Sequence, residues 1–422
     1  MTAAAAPPPD GDHHRSVNRR TSSPAVEGIP MHRPPLLTAV LRGLALVLGL
    51  GLLCPPASAA GGQGGVAGRP GGGGGLLSVL EEAVQQGSPG ALAQSRRGSH
   101  VRNLAAGVAD IRTGERPRAP MRFRIGSVTK TFVATAVLQL VADHRLRLDE
   151  TVADVLPGVV DRNGNDGSAI TIRMLLNDTS GLYEYTQDPR VEQIVLRDPA
   201  HCFTPRELVD IAVDHPPVFA PGTSWEYSNT NYSLLAMVIE KVTGQSYGDR
   251  ITRRILRPLG LAATSFPGCS PRLPRPRLHG YTKPDTAGPE IQDVTDYNPS
   301  FAAGNGDMIS TVGDLNRFDS ALLGGRLLPE RLLRMMLTPT PGSFPNTDAF
   351  RYGFGVVIAR TACGVTVYGN AGSIQGYETW MSGTRSGRHT MSLALNNDWL
   401  DPTDTILQAI TAEFCARRAT GH

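Results

Sequence analysis

The sequence predicts an α+β fold: one antiparallel sheet covered by a helix from each end of the chain, with an all-helical region inserted between its first and last strands. Three observations carry this. Strand patterns occur over residues 99–125 and again after residue 352, whereas the long stretch between them is mostly helical in period. A helical pattern opens the folded part at Leu76, and another closes it from Thr403. The 422 residues are 40% hydrophobic and 19% charged, proportions of a globular chain that a single large α/β unit can accommodate.

Residues 1–59 stand apart from this fold. Residues 1–30 are rich in Ala, Pro, Ser and charge, which predicts disorder. From Met31 the pattern is that of a secretory signal peptide. Arg33 and Arg42 flank the short apolar run 43–53, Pro55 and Pro56 break it, and Ala57-Ser58-Ala59 has the small residues of a cleavage site. The run is short for a transmembrane helix. The expectation is a secreted, extracellular protein, with retention at the cell surface as a variant. Residues 60–75 are mostly glycine and read as a flexible linker. The folded unit is then 76–418, with the helical insertion at roughly 144–305.

Within that unit, residues 76–86 have a helical pattern, residues 99–110 alternate as a strand, and residues 121–125 form a short strand ending at Gly126. Residues 127–143 (SVTKTFVATAVLQLVAD) then return to helical period. Thr204-Pro205-Arg206-Glu207 is a capping box with Pro at the first helical position. Helices are predicted over 231–243, stopping at Gly244, and over 246–257, 310–323 and 329–336. Residues 352–360, 364–368, 376–382 and 390–396 read as a strand meander, followed by a closing helix over 403–418.

Charge and cysteine content exclude several classes. The formal net charge is +3, of which the five arginines and three acids of residues 1–59 supply +2, leaving +1 for the rest. No basic run or aromatic-interleaved patch appears, so no nucleic-acid partner is expected. Four cysteines follow the leader, Cys202, Cys269, Cys363 and Cys415. An even count suits disulfides in an exported protein, but four cysteines allow three pairings. CxxC and HExxH are absent, and no metal or organic cofactor is expected.

Three short motifs carry chemistry. The first is Ser127 with Lys130, three apart at a helix start and so on one face. A serine needs a neighbouring base to attack a carbonyl, and a lysine of lowered pKa can serve where arginine cannot. Among 41 basic residues only Lys130, Lys241 and Lys283 are lysines, so a lysine at this position is informative. The second is Tyr227-Ser228-Asn229, where a phenol can pass a proton and an amide can bind substrate. The third is Asn370-Ala371-Gly372-Ser373, between two expected strands, where an edge strand can offer its N–H to an oxyanion. Singly, each also reads as a helix cap, a capping loop or a glycine-rich hairpin.

Together, about 100 and then about 140 residues apart, the three resemble the serine-type D-alanyl-D-alanine carboxypeptidases and class C β-lactamases, which carry SxxK, YxN and a third motif on a strand. Residues 123–132 (FRIGSVTKTF), 175–182 (LLNDTSGL) and 308–315 (MISTVGDL) resemble further blocks of that family. The resemblance implies a β-lactamase/transpeptidase-like fold and an acyl-enzyme on Ser127, with Lys130 and Tyr227 handling its proton. Asn229, Phe301, Asn370, Gly372 and Ser373 would bind substrate, and the N–H groups of Ser127 and Ser373 would form the oxyanion hole. It also implies a Cys363–Cys415 disulfide, leaving Cys202 with Cys269.

The implied activity is a D-alanyl-D-alanine carboxypeptidase on cell-wall peptides, acting as a monomer, with β-lactams as covalent ligands. A β-lactamase or an esterase on the same fold is the alternative, and a non-catalytic binding protein is the alternative of another class. A Ser-His-Asp hydrolase is disfavoured because GxSxG is absent. Three departures bear on substrate. Asn370-Ala371-Gly372 replaces His-Thr-Gly or Lys-Thr-Gly, Val357 stands near where relatives have a carboxylate-binding arginine, and Asp178 stands where many have histidine. The acylation groups are kept, while the groups that hold a terminal carboxylate are not.

Overall fold

A computed structural model describes residues 75–283 and 290–415. The expected disordered segment, signal peptide and nearly all of the linker lie outside the described residues, as does the end of the expected closing helix. In chain order the main elements are α1 (Leu76–Gln85), β1 (Gly90–Arg97), β2 (His100–Gly107), α2 (Thr129–Ala142), α3 (Pro189–Arg197), α4 (Pro205–Val213), α5 (Asn229–Thr243), α6 (Val312–Leu323), β3 (Phe350–Tyr352), β4 (Val357–Arg360), β5 (Thr366–Ile374), β6 (Tyr377–Thr384), β7 (His389–Leu395) and α7 (Thr403–Phe414).

The seven strands form one antiparallel sheet in the order β2-β1-β7-β6-β5-β4-β3. Strands from the two ends of the chain meet at β1 and β7, with Leu92 opposite Ala394. Side chains alternate between the faces, as strand geometry requires. Ala91, Ala93, Leu393 and Leu395 face a core that they share with Leu80 of α1 and Ile406 and Ile410 of α7. Leu92, Ala394, Met381 and Ile374 face the opposite core, with Phe132 and Val137 of α2 and Leu315 and Phe318 of α6. Residues 129–140 of α2 are all buried, Lys130 and three threonines among them, so this helix runs through the interior.

The sequence missed β1. Its residues GALAQSRR include no β-branched or aromatic side chain, so strand propensity is silent. The strand expected over 99–110 is instead the second arm of a hairpin turned at Gly98. The strand expected over 352–360 is likewise two strands, because Gly353–Val356 reverses the chain, with Gly353 N–H donating to Val356 O at 2.8 Å. Residues 366–374 form one continuous strand, so the third motif lies on β5 and not in a connection. Among the described residues, the regular structure of the inserted region is helical apart from a two-stranded ribbon of Tyr281–Thr282 with Gln292–Asp293. The capping box at Thr204 is formed with Glu207, and α5 stops at Gly244 with φ 69°. Both disulfides are present, Cys202–Cys269 and Cys363–Cys415.

Candidate active site

Ser127 sits on a single 3-10 turn, Gly126–Val128, that enters α2. The strand before it, Phe123–Arg124, pairs with Ile309–Ser310, and Ile125 N–H donates to Met308 O at 3.1 Å. Two glycines let β5 lie against this turn. A Cβ on Gly126 (φ 48°) would stand 2.8 Å from Ser373 O, and one on Gly372 would stand 2.0 Å from Ile125 O. No side chain fits either place. The same approach puts the backbone nitrogens of Ser127 and Ser373, the expected oxyanion donors, on adjoining stretches of chain.

Lys130 lies one turn on, fully buried, with Nζ 3.0 Å from Ser127 Oγ. It donates to Asn229 Oδ1 at 2.6 Å and to Asn305 O at 3.1 Å. Burial pushes its amine down to about 7, against the opposing charges of Asp178 and Glu184. A neutral amine has two N–H groups and one lone pair. The two carbonyl oxygens take the N–H groups, and the lone pair is left for the Ser127 proton. Tyr227 OH donates to Ser127 Oγ at 2.7 Å from the other side, and burial holds the phenol well above its ordinary pKa. The serine oxygen is thus placed between a base and a proton donor, the arrangement of an activated nucleophile.

Three residues absent from the expected site hold this geometry. Glu184 accepts from both the backbone N–H and the Nδ2 of Asn229, the latter at 3.0 Å. Because Nδ2 faces Glu184, Oδ1 must face Lys130. Asn305 presents its carbonyl to Lys130 while its amide donates to Tyr185 OH at 2.8 Å and Ser233 Oγ at 3.1 Å. Asp178 accepts from Asn231 Nδ2 at 2.6 Å, and its backbone carbonyl accepts from Glu226 N–H beside Tyr227. Burial raises its carboxyl to about 8, against the hydrogen bond from Asn231 and the charge of Lys130, and the group stands where relatives were expected to have histidine. Sequence offered a partial signal: Asp178 lies inside one of the family-like blocks, Glu184 two residues after it, and Asn305 three residues before another.

The site opens into a cleft of roughly 560 Å³. Ser127, Asn229, Phe301 and Ser373 line it, together with Tyr185, Val191, Glu192, Val195 and Ile374. Asn370 and Gly372 have other places. The Asn370 side chain is buried, and Nδ2 donates to Gly355 O at 3.0 Å, Thr131 Oγ1 at 3.2 Å and Ser127 O at 3.4 Å. It ties β5 to the nucleophile's helix instead of facing the cleft. Val357 is buried, and Arg351 donates to Thr347 O and Phe350 O and pairs with Asp348. No arginine or lysine is among the described residues that line the cleft. Among the described residues, no group of three His, Cys, Asp or Glu side chains is arranged to hold a metal ion.

The sequence pattern of the β-lactamase family matches residues 76–410, nearly the whole described chain. The chain belongs to the β-lactamase family. This β-lactamase-family protein is 28% identical over 303 residues to the putative penicillin-binding protein PbpX of Bacillus subtilis (strain 168), covering 71% of this chain and 68% of that one. It is 32% identical over 249 residues to penicillin-binding protein 4 of Amycolatopsis lactamdurans, covering 57% and 61%. Among solved structures it resembles a D-stereospecific amidohydrolase from Streptomyces sp., with 43% identity, a TM-score of 0.75 and coverage of 81% of this chain and 98% of that one. It also resembles the D-amino acid amidase from Ochrobactrum anthropi SV3 complexed with D-phenylalanine, with 27% identity, a TM-score of 0.71 and coverage of 81% and 98%. The family and these neighbours make it a serine hydrolase of the β-lactamase and penicillin-binding protein superfamily.

Proposed function

We propose that the chain hydrolyses amides and esters of D-configured amino acids through an acyl-enzyme on Ser127. Ser127 Oγ bonds to the substrate carbonyl carbon as its proton passes to Lys130 Nζ, and the N–H groups of Ser127 and Ser373 hold the oxyanion. Tyr227 gives its proton to the departing nitrogen or oxygen and is resupplied by the Lys130 ammonium. Water then attacks the ester carbonyl and releases Ser127 by the same relay in reverse.

The observation that carries the choice of substrate is the lining of the cleft, which has no arginine or lysine among the described residues. A D-alanyl-D-alanine terminus ends in a carboxylate, which needs a cation to replace its water. The groups that would supply one are absent or turned away: Asn370 is neutral and bonded inward, Val357 is apolar, and Arg351 is tied to its own loop. An amide or ester without a second charge meets no such cost. The likeness to a D-stereospecific amidohydrolase and to a D-amino acid amidase supports the same reading. The two disulfides support action outside the cytoplasm. The reading takes the working unit as a monomer, with β-lactams as covalent probes of Ser127.

The test is kcat/KM for D-phenylalanine amide, L-phenylalanine amide and a peptide ending in D-alanyl-D-alanine. The D-amide is expected to lead both others by at least tenfold. A lead for the D-alanyl-D-alanine peptide would return the assignment to a carboxypeptidase.

A further inference from the structure

One wall of the cleft is built by α3, the turn Pro299–Ala302 and the end of β5. Val191, Val195, Phe301 and Ile374 make it apolar. The polar side chains beside them are mostly spent within the protein. Tyr185 OH donates to Phe301 O at 2.7 Å, Thr186 Oγ1 donates to Glu184 at 2.7 Å, and Ser373 Oγ donates to Glu378 at 2.6 Å. The Asn229 amide is spanned by Glu184 and Lys130.

Glu192 differs. It stands on α3 between Val191 and Val195, partly exposed, and among the described residues it has no hydrogen bond and no ion pair. The nearby Arg190 is turned elsewhere, held by Asp188 and Asp214 at 2.7 Å each. Among the described residues that line the cleft, the one carboxylate therefore lacks a counter-charge, and it stands beside the apolar side chains of Val191, Val195, Phe301 and Ile374. That is the complement of a ligand with an apolar body and one positive group.

Building on the amidase reading, we propose that Glu192 selects substrates whose acyl half carries an ammonium group, the free α-amine of an apolar D-aminoacyl amide or ester. An ammonium that leaves water for the cleft keeps a charged hydrogen-bond partner at Glu192, whereas an N-acylated substrate gains nothing from it.

The experiment compares kcat/KM for D-phenylalanine methyl ester and its N-acetyl form, in the wild type and in Glu192→Gln. The pH is set where the α-amine is protonated, so that any loss of Lys130 base falls equally on both esters. The wild type is expected to favour the free amine by roughly tenfold, the effect of one charge-assisted hydrogen bond at a partly exposed site. Glu192→Gln should bring the ratio close to one, mainly through a higher KM for the free-amine ester. Glu192→Ala, at a partly exposed helix position, should give the same ratio. A wild-type ratio of one, or a preference that survives in both variants, overturns the proposal. Cleavage of the esters without cleavage of D-phenylalanine amide overturns the amidase reading alone, because the ester ratio still reads Glu192. No turnover of any of them overturns both.

Discussion

At the scale of the residue, the proposed chemistry rests on one buried amine. Lys130 is useful as a base only when neutral, and burial brings its pKa to about 7. The kcat/KM of an uncharged ester is therefore expected to rise with pH through a single limb centred near 7. Lys130→Arg keeps the charge but never releases the proton, so it should lower kcat/KM by about 100-fold or more and remove that limb. A Lys130→Arg enzyme with a normal rate and an unchanged limb would move the base elsewhere. Ser127, Lys130, Tyr227 and Asn229 were legible in the sequence because they sit in short motifs, and in the structure their side chains meet around Ser127 and Lys130. Glu184 and Asn305 were not. Their effect comes through hydrogen bonds to residues 45 and 175 positions away, which only the fold brings near. Asn370 was legible as a motif position but not in its role, because the direction of its side chain depends on the pleat of β5.

At the scale of the element, α3 presents Val191, Glu192 and Val195 to the cleft, and Asp188 holds its start. Asp188 accepts from Arg190 N–H at 2.7 Å, from the Arg190 guanidinium at 2.7 and 2.9 Å, and pairs with His215 at 2.7 Å. His215 in turn stacks on Tyr183, 3.9 Å between ring centres. Burial works against the Asp188 charge, but the hydrogen bonds from Arg190 and His215 prevail and hold the carboxyl down at about 2. Its folded pKa is below the unfolded value of about 4, so the stabilisation is complete above pH 4 and disappears as pH falls toward 2. Asp188→Asn is expected to cost about 1–2 kcal/mol at neutral pH. In thermal melts against the wild type the gap should close between pH 4 and 2; a gap that persists at pH 2 would assign the loss to packing instead. Helices of this kind were readable from period and caps, Thr204-Pro205-Arg206-Glu207 most directly. Strand β1 was not, because Ala91 and Ala93 are selected by closely packed helices and not by strand propensity.

At the scale of the whole molecule, the two ends of the chain close one sheet, and the Cys363–Cys415 bond pins α7 to the β4–β5 turn. It closes a loop of 52 residues. Replacing both cysteines by alanine is expected to cost about 2–4 kcal/mol of stability, read in denaturant melts, while kcat/KM stays near the wild-type value. Lost activity in a folded double variant would show that α7 reaches the active site. Fold class was legible because it depends on the order of helical and strand patterns over hundreds of residues, which local errors at β1 and β3 do not disturb. The substrate depends instead on which way a few side chains point. The central claim is that one serine carries the reaction, and the most direct test is the turnover of D-phenylalanine methyl ester by purified Ser127→Ala. The account predicts a folded protein with no enzymatic turnover. Hydrolysis at the wild-type rate would contradict it.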